Sequence, residues 1–186
     1  MRLTAALAFL LFTASAQAAT PPHPAHPQKP LDELFADLAK ADSEEEAKPI
    51  EDQIELIFQQ SGSATVDLLM TRAAEAEKNQ DLDTARKLLN DIVQVAPGYA
   101  EGWRRLGEIE GLSNNDTAAM LSLQKAVTLN PREFAAMSEL ADFLEDYGDK
   151  KAALEVLRKV QALDPSYENV QRRVRELAKD VEGQGI

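Results

Sequence analysis

The chain has 186 residues, a formal net charge of −12, no cysteine, and only 5% aromatic against 44% apolar residues. Disulfides, zinc–thiolate sites, a thiol nucleophile and lipid attachment to cysteine are therefore excluded. The excess of carboxylates disfavours nucleic acid and anionic membrane surfaces as partners, because both are held mainly by Lys and Arg. A core poor in aromatic rings must be built from aliphatic side chains and alanine, which favours packed helices.

Residues 1–18 have the pattern of a cleavable secretory signal peptide. Arg2 precedes an apolar run from Leu3 to Phe12, and Ala16-Gln17-Ala18 fits the small-x-small motif of signal peptidase. We expect cleavage after Ala18 and release into the periplasm of a bacterium. A membrane anchor is the alternative, although the run is far shorter than the ~20 residues of a spanning helix. Stable membrane insertion is accordingly not predicted.

Residues 19–30 are predicted to be a proline-rich linker, because prolines at positions 21, 22, 24, 27 and 30 prevent helix. The two histidines of the chain, His23 and His26, lie in this segment. They either hold a metal weakly or are simply solvated. The second interpretation is preferred, since two imidazoles without acidic or thiol support make a weak site. We predict no metal and no cofactor.

Residues 31–62 are predicted to form a degenerate helical pair that covers the N-terminal end of the domain. Apolar side chains recur at helical spacing on one face of each helix: Leu31, Leu34, Phe35 and Leu38, then Ile50, Ile54, Ile57 and Phe58. Ser43 and Glu46 are spaced as a capping box for the second helix. Pro49 is acceptable there only in the first turn or at a kink.

Residues 63–165 contain an internal repeat with a period of 34 residues. Four columns keep this interval in one register: Pro97, Pro131 and Pro165; Ala85, Ala119 and Ala153; Leu89, Leu123 and Leu157; Ala73, Gly107 and Ala141. The small residues let two helices approach each other closely, and each proline ends the second helix. Asp83, Asn115 and Asp149 are candidate N-caps of these second helices.

The repeat resembles the tetratricopeptide repeat (TPR), whose period is also 34 residues. The consensus positions of the central copy are occupied by Trp103, Leu106, Gly107, Ala119, Ala126 and Pro131, and those of the third by Leu140, Ala141, Gly148, Ala153 and Pro165. Glu110 and Leu123 depart from the usual aromatic residues, and Arg72 weakens the first copy. The resemblance implies an all-α fold, an α-α superhelix (TPR solenoid) of about three units. Trp103 is then expected in the core.

The end of the chain and one junction complete the predicted organisation. Residues 166–186 are expected to be a capping helix with a short tail, the helix running from Ser166 to Asp180. Its inward face carries Val170, Val174 and Leu177. The junction Ser61–Met70 resembles one found in periplasmic TPR proteins of alphaproteobacteria, a group associated with maintenance of the cell envelope.

The sequence predicts a binding surface and no enzymatic activity. Hydrolase triads need a histidine, and both histidines lie in the linker. No glycine-rich phosphate loop is present. The TPR resemblance implies that the first helix of each repeat lines a concave groove. Its exposed positions are expected to be Asp67, Met70, Ala74 and Glu77, then Glu101, Arg104 and Glu108, then Ala135, Ser138, Asp142 and Glu145.

This groove is predominantly acidic, which favours a protein or peptide partner with a basic or amphipathic segment. Its charged side chains either contact that partner or only keep the inner face solvated. The preferred hypothesis is a periplasmic scaffold or adaptor that supports envelope assembly or integrity. The alternatives are a chaperone-like factor for exported proteins, similar to the TPR modules of cytochrome c maturation, and an accessory subunit of a cell-wall enzyme. Association of the chain with itself stays open.

Overall fold

The computed structural model describes residues 29–183. The predicted signal peptide, its cleavage site, His23, His26, the linker up to residue 28 and residues 184–186 lie outside the described residues. Residues 29–183 form nine α-helices and no strand, the helices being α1 Leu31–Leu38, α2 Glu44–Phe58, α3 Ala64–Lys78, α4 Leu82–Val95, α5 Ala100–Leu112, α6 Asp116–Leu129, α7 Phe134–Asp146, α8 Lys150–Leu163 and α9 Val170–Glu182. None of these helices is both long and apolar enough to span a membrane.

Helices α3–α8 are three consecutive helical pairs, and small residues set the approach within each pair. A Cβ added to Gly107 of α5 would lie 2.7 Å from Cγ of Leu123 in α6. Ala73 and Ala141 are buried at the equivalent positions of the first and third pairs. The expected role of these small residues is therefore confirmed, and the three pairs stack as an all-α solenoid.

The helix starts follow the sequence only in part. Asp149 caps α8, its carboxylate accepting from the backbone N–H of Ala152 at 3.1 Å, as predicted. The expectation for Asp83 is wrong, because α4 begins two residues earlier and Asp81 is its cap. Asn115 occupies the N-cap position of α6 without capping it, since its side-chain amide donates to Glu110 at 2.8 Å instead.

The buried apolar side chains form two clusters, and Trp103 contacts both of them. One cluster lies between α3, α4 and α5, and the other joins α6, α7, α8 and α9 with α1 and α2. The indole N–H of Trp103 donates to the carbonyl of Pro97 at 3.0 Å. The prediction that Trp103 serves the core rather than a ligand is in keeping with this position between the clusters.

The N-terminal pair α1–α2 does not cover the N-terminal end of the stack, and this expectation was wrong. It lies across the loops that join successive repeats (residues 96–99, 130–133 and 164–166), which we call the loop edge. Three contacts place it there: Tyr99 Oη donates to the carbonyl of Gln59 at 2.8 Å, the rings of Phe35 and Phe134 meet at 6.2 Å, and Ser166 Oγ donates to the carbonyl of Ala41 at 3.2 Å.

Aromatic rings explain this docking, because Phe35 packs against an aromatic ring at the loop edge and α3 presents no such ring. On α3, Leu68 remains 59% exposed.

The start of α2 follows the prediction: Ser43 accepts from the N–H of Glu46 at 3.3 Å, and the Glu46 carboxylate accepts from the N–H of Asp42 at 3.2 Å. Pro49 lies inside α2, one turn beyond the helix start.

The C-terminal helix also starts later than predicted. A 3-10 turn, Tyr167–Asn169, precedes α9, and Glu168 and Asn169 both have left-handed backbone angles that separate the turn from the helix. The inward face is as predicted, with Val170, Val174 and Leu177 buried. Helix α9 therefore closes the C-terminal end of the second cluster.

Candidate partner-binding groove

A cleft of about 430 Å³ lies on the concave side between the first and second repeats. Its walls come from α3, α5 and the loop before α5, and it is lined by Gln59, Asp67, Met70, Thr71, Ala74, Tyr99, Glu101, Arg104 and Arg105. The structure thus brings together five of the residues that the sequence placed on the concave face. Their contact with a partner stays a prediction.

The α3 wall of the cleft is the part that is open to solvent. Asp67 and Ala74 are exposed and Met70 is partly exposed. The turn before α3 fixes Asp67, because Ser61 Oγ donates to its carboxylate at 2.5 Å. Gly62 makes this turn with φ of 74°, in the left-handed region that glycine adopts without strain. This wall therefore offers one carboxylate beside two apolar side chains.

The opposite wall is built on Arg104, which is partly buried and paired rather than exposed as predicted. Its Nε and Nη2 each donate to the Glu101 carboxylate at 2.7 Å, and Nη1 donates to Glu139 of α7 at 2.9 Å. Glu101 is only 4% exposed, so its predicted exposure was also wrong. The cause is the bidentate pairing of the two side chains under the cover of α7.

Burial and ion pairing have opposite effects on the pKa values of Arg104 and Glu139. Burial alone would lower the pKa of Arg104, but the hydrogen bonds that it donates to Glu101 and the charges of Glu101 and Glu139 raise it above its ordinary value. Burial raises the pKa of Glu139 to about 7, although the Arg104 charge opposes this shift. Arg104 therefore stays charged and is committed to two carboxylates of its own chain.

Arg105 is a groove residue that the sequence analysis missed. It donates to Glu77 of α3, and its Nη1 donates to Glu108 at 2.6 Å. Glu77 and Glu108 are consequently partly buried, each in an ion pair, rather than freely exposed. The spacing of Arg105 and Glu108 on one helix could have signalled their pairing. The bridge to Glu77 in another repeat needs the tertiary structure.

The groove closes at the third repeat, where two of the positions expected to be exposed are buried. Ser138 is 3% exposed and Ala135 is also buried, so both predictions of exposure were wrong. The reason is Arg173 of α9, whose guanidinium donates to Ser138 Oγ at 3.2 Å and to Glu145 at 2.7 Å. Arg173 also pairs with Asp142, which remains exposed. Helix α9 thus occupies the place of the next repeat.

A second cleft of about 370 Å³ continues the concave surface between α5 and α7. Its lining combines a small apolar floor with acidic side chains: Gly111, Leu112, Phe143, Glu108, Glu139, Asp142 and Asp146. Gly111 allows the floor to form, since a Cβ there would lie 2.9 Å from the Phe143 ring. Glu108 and Glu139 line this second cleft and also form ion pairs with Arg104 and Arg105 of the first cleft. The concave surface is therefore continuous and acidic.

Comparison with known proteins agrees with the 34-residue helical pairs. A tetratricopeptide-repeat family model matches residues 66–109, which cover the first pair and most of α5. In this segment the chain resembles tetratricopeptide-repeat proteins. A TPR repeat-containing protein of Rhizobium etli is 29% identical over 157 residues, covering 84% of this chain and 77% of the relative.

Solved TPR structures share the fold. The Yersinia enterocolitica type III secretion chaperone SycD, in complex with a peptide of the translocator YopD, matches with a TM-score of 0.58 and 15% identity over 63% of this chain and 95% of its own. A structure of the MamA protein matches with a TM-score of 0.58 and 16% identity over 83% of this chain and 84% of its own. At these identities the likeness shows the TPR fold alone.

Several carboxylates of the TPR groove are paired with arginines of the same chain. Within residues 29–183, no group of three or more His, Cys, Asp and Glu side chains is placed to hold a metal ion. The carboxylates nearest the first cleft are instead bonded to Arg104 and Arg105. The α3 wall of the cleft is left open to solvent.

Proposed function

We propose that the chain is a protein-binding adaptor whose partner lies in the concave groove across the first two repeats. One observation carries this proposal: Asp67, Met70 and Ala74 form an open wall, while the facing wall is already held rigid by its own ion pairs. A rigid, preformed wall lowers the ordering cost of binding. The exposed α3 wall is then the part that a partner contacts.

The charge of the groove favours a partner segment that is basic or amphipathic. Five carboxylates (Asp67, Glu77, Glu101, Glu108 and Glu139) surround two guanidiniums (Arg104 and Arg105). Both guanidiniums are already paired within the chain, which disfavours a clamp for a C-terminal carboxylate. Met70 and Ala74, together with Leu112 and Phe143 of the second cleft, would take the apolar side chains of the segment.

We further propose that the adaptor works in the periplasm and supports the cell envelope. The support is the pattern of residues 1–18 and the likeness of Ser61–Met70 to the junction of periplasmic TPR proteins. The test is N-terminal sequencing of the protein recovered from the periplasmic fraction. The proposal expects a mature chain that starts at Ala19. An uncleaved chain confined to the cytoplasmic fraction would refute this assignment without touching the binding groove.

A chaperone-like factor for an exported protein is the second candidate function. The observation that favours it is the open cleft on a fold shared with SycD, which was solved with a peptide of its translocator. The two candidates differ in ligand, because an adaptor holds a folded partner and a chaperone holds an unfolded segment. If the protein captures its partner only when that partner is denatured or newly made, the chaperone function is supported over the adaptor function.

The groove is tested by in-cell crosslinking and pull-down with a blocking variant. Ala74→Arg places a bulky cation in the cleft, and Ala162→Arg makes the same change at an exposed position of α8 as the matched control. Arg104 is unsuitable for this purpose, because its replacement would strand buried carboxylates. We expect a partner captured by the wild type and by Ala162→Arg, and lost with Ala74→Arg. Equal capture by all three proteins would refute the groove assignment.

A further inference from the structure

An aromatic cluster marks the surface that α1 and α2 cover. The Phe134 ring lies at the loop edge between the rings of Phe35, at 6.2 Å, and Tyr167, at 5.0 Å, both in edge-to-face arrangement. Phe58 of α2 adds a fourth ring, 6.3 Å from Phe35. The guanidinium of Arg132 lies 3.8 Å from the centre of the Phe35 ring. The pair α1–α2 is therefore docked on a specific aromatic surface.

The docked pair α1–α2 packs against a different part of the solenoid core from α3, the helix that follows it in the chain. Its buried side chains Leu34, Leu38 and Ile54 belong to the cluster of the third repeat, whereas α3, which follows it in the chain, belongs to the other cluster. Residues 59–63 join α2 to α3 through the turn at Gly62. The helices α1 and α2 also contact each other. The pair is thus joined to the rest of the chain by its docked face and by the linker to α3.

Two buried carboxyl groups lie at this interface. Glu51 of α2 is 4% exposed, Asp164 is fully buried in the loop before α9, and α2 contacts the 3-10 turn that follows Asp164. The charge of Asp164 acts on Glu51. Asp164 Oδ1 accepts from the N–H of Ser166 at 2.9 Å, but the buried Oδ2 has no hydrogen-bond partner among the described groups. Two ionised carboxylates repel in this buried setting, whereas a proton on Glu51 would supply the bond that Oδ2 lacks.

The other charged groups near these two carboxyl groups do not neutralise them. Lys48 of α2 lies 3.5 Å from Glu51, but it is exposed and shared with Asp52 at 3.1 Å. From the loop edge, the Tyr167 phenol faces Glu51 and Glu55, and Glu133 faces Glu55. At the other end of the interface, Arg132 pairs with Asp32 of α1. The middle of the interface is therefore acidic on both sides.

We propose that α1–α2 is a detachable latch on the loop edge, held by a carboxyl–carboxylate hydrogen bond that Glu51 and Asp164 make only while they share a proton. Loss of that proton leaves two buried like charges, and the pair departs from the aromatic surface around Phe134. The latch concerns the chain itself and does not rest on the proposed partner groove. Because Gln59 at the end of α2 lines the first cleft, departure of the pair also widens that cleft.

The direction of the pH dependence follows from burial. Burial, followed by the charge of Asp164, raises the pKa of Glu51 to about 7, and burial also raises the pKa of Asp164. A carboxyl with a raised pKa favours docking fully at acid pH, and this contribution is lost as the pH rises towards 7. From its ordinary value of 4.5, the shift of Glu51 weakens docking about thirtyfold between pH 5.5 and pH 8.5.

The absence of cysteine in the chain allows a direct test by fluorescence energy transfer. Donor and acceptor dyes are attached to Ala36→Cys of α1 and Ala162→Cys of α8, both at exposed positions. The full chain is titrated from pH 5.5 to pH 8.5 while circular dichroism monitors its helicity. The latch predicts high transfer at pH 5.5 that falls as the pH rises towards 7, at constant helicity.

Two variants decide whether the carboxyl pair is the cause. In Glu51→Gln the amide donates to Asp164 at every pH, so we expect high transfer throughout the titration. Glu45→Gln changes an exposed carboxylate of the same helix and should follow the wild type. A flat wild-type titration would overturn the latch. The latch would also be overturned if Glu51→Gln titrated as the wild type does, or if it showed low transfer at all pH values. Neither outcome bears on capture in the concave groove.

Discussion

Phe35 of α1 meets Phe134 of α7 edge to face, with ring centroids 6.2 Å apart and planes inclined by 79°. This contact joins the N-terminal helices to the third repeat and passes over the first two. It leaves Leu68 of α3 exposed at the N-terminal end of the stack. The repeats therefore supply two distinct surfaces, the loop edge that α1–α2 covers and the concave groove that is open.

Truncation of Phe35 should release the N-terminal pair. Phe35→Ala removes contacts with Phe134, Phe58 and Arg132, and such a change in a buried cluster costs about 3–5 kcal/mol. Hydrogen exchange should show loss of amide protection in α1 and α2 while α5 and α6 keep theirs. Leu56→Ala, at an exposed position of α2, is the control and should leave protection unchanged. Full protection of α1 in Phe35→Ala would contradict the docking.

The close approach of α5 and α6 can be tested with two glycines. Gly107→Ala puts a Cβ 2.7 Å from Leu123 Cγ and should lower the free energy of unfolding by about 1–3 kcal/mol through overpacking. Gly98→Ala meets no atom within 4 Å and should be neutral or slightly stabilising. Chemical denaturation measures both. Equal effects at the two positions would mean that the helices are not in contact at Gly107.

Arg104 should prove to be a structural residue of the groove wall. Arg104→Ala leaves the buried carboxylates of Glu101 and Glu139 without their partner, and we expect destabilisation of about 3–5 kcal/mol. The matched control is Arg158→Ala, whose ion pair with Glu182 is solvent-exposed and should change the melting temperature little. Similar melting temperatures for Arg104→Ala and the wild type would refute the buried network.

Glu133 should make the solenoid less stable as the pH rises. Burial, and then the charge of Glu101, raises the pKa of this carboxyl from 4.5 to about 7. The cost of ionising it therefore appears as the pH rises above 4.5 and is complete above pH 7. Glu133→Gln should stabilise the protein by about 2 kcal/mol more at pH 8 than at pH 5.5.

Guanidinium denaturation at the two pH values measures this difference. Glu155→Gln, an exposed change on α8, should have the same effect at both. A gain from Glu133→Gln that is equal at pH 5.5 and pH 8 would contradict the buried, protonated state of Glu133.

The repeated pairs could be predicted from the sequence because their determinants are local and periodic. Proline, alanine and leucine recur every 34 residues, and Gly107 and Trp103 have the packing roles that this register implies. The capping of α8 by Asp149 needs only the residues beside it. The start of α4 was misplaced because Asp81 and Asp83 are both good caps, and only the turn geometry selects between them.

The docking of α1–α2 could not be predicted, because it depends on which distant rings are free to receive Phe35. Helical spacing defines the apolar face of α1 but not the surface that covers it. The same limit affected the groove. Period and register placed Glu101 and Ser138 on the concave side, but their burial depends on Arg104 and Arg173, each of which also bonds to a side chain of another helix. Long-range ion pairs leave little trace in a single sequence.

Site-specific photocrosslinking tests directly whether a partner lies against the open α3 wall. A photoreactive amino acid replaces Ala74 in the cleft or, in a separate protein, Ala162 on α8, both exposed. After irradiation of cells, the account predicts one defined adduct from position 74 and none from position 162. Adducts of the same size and yield from both positions, or from position 162 alone, would contradict it.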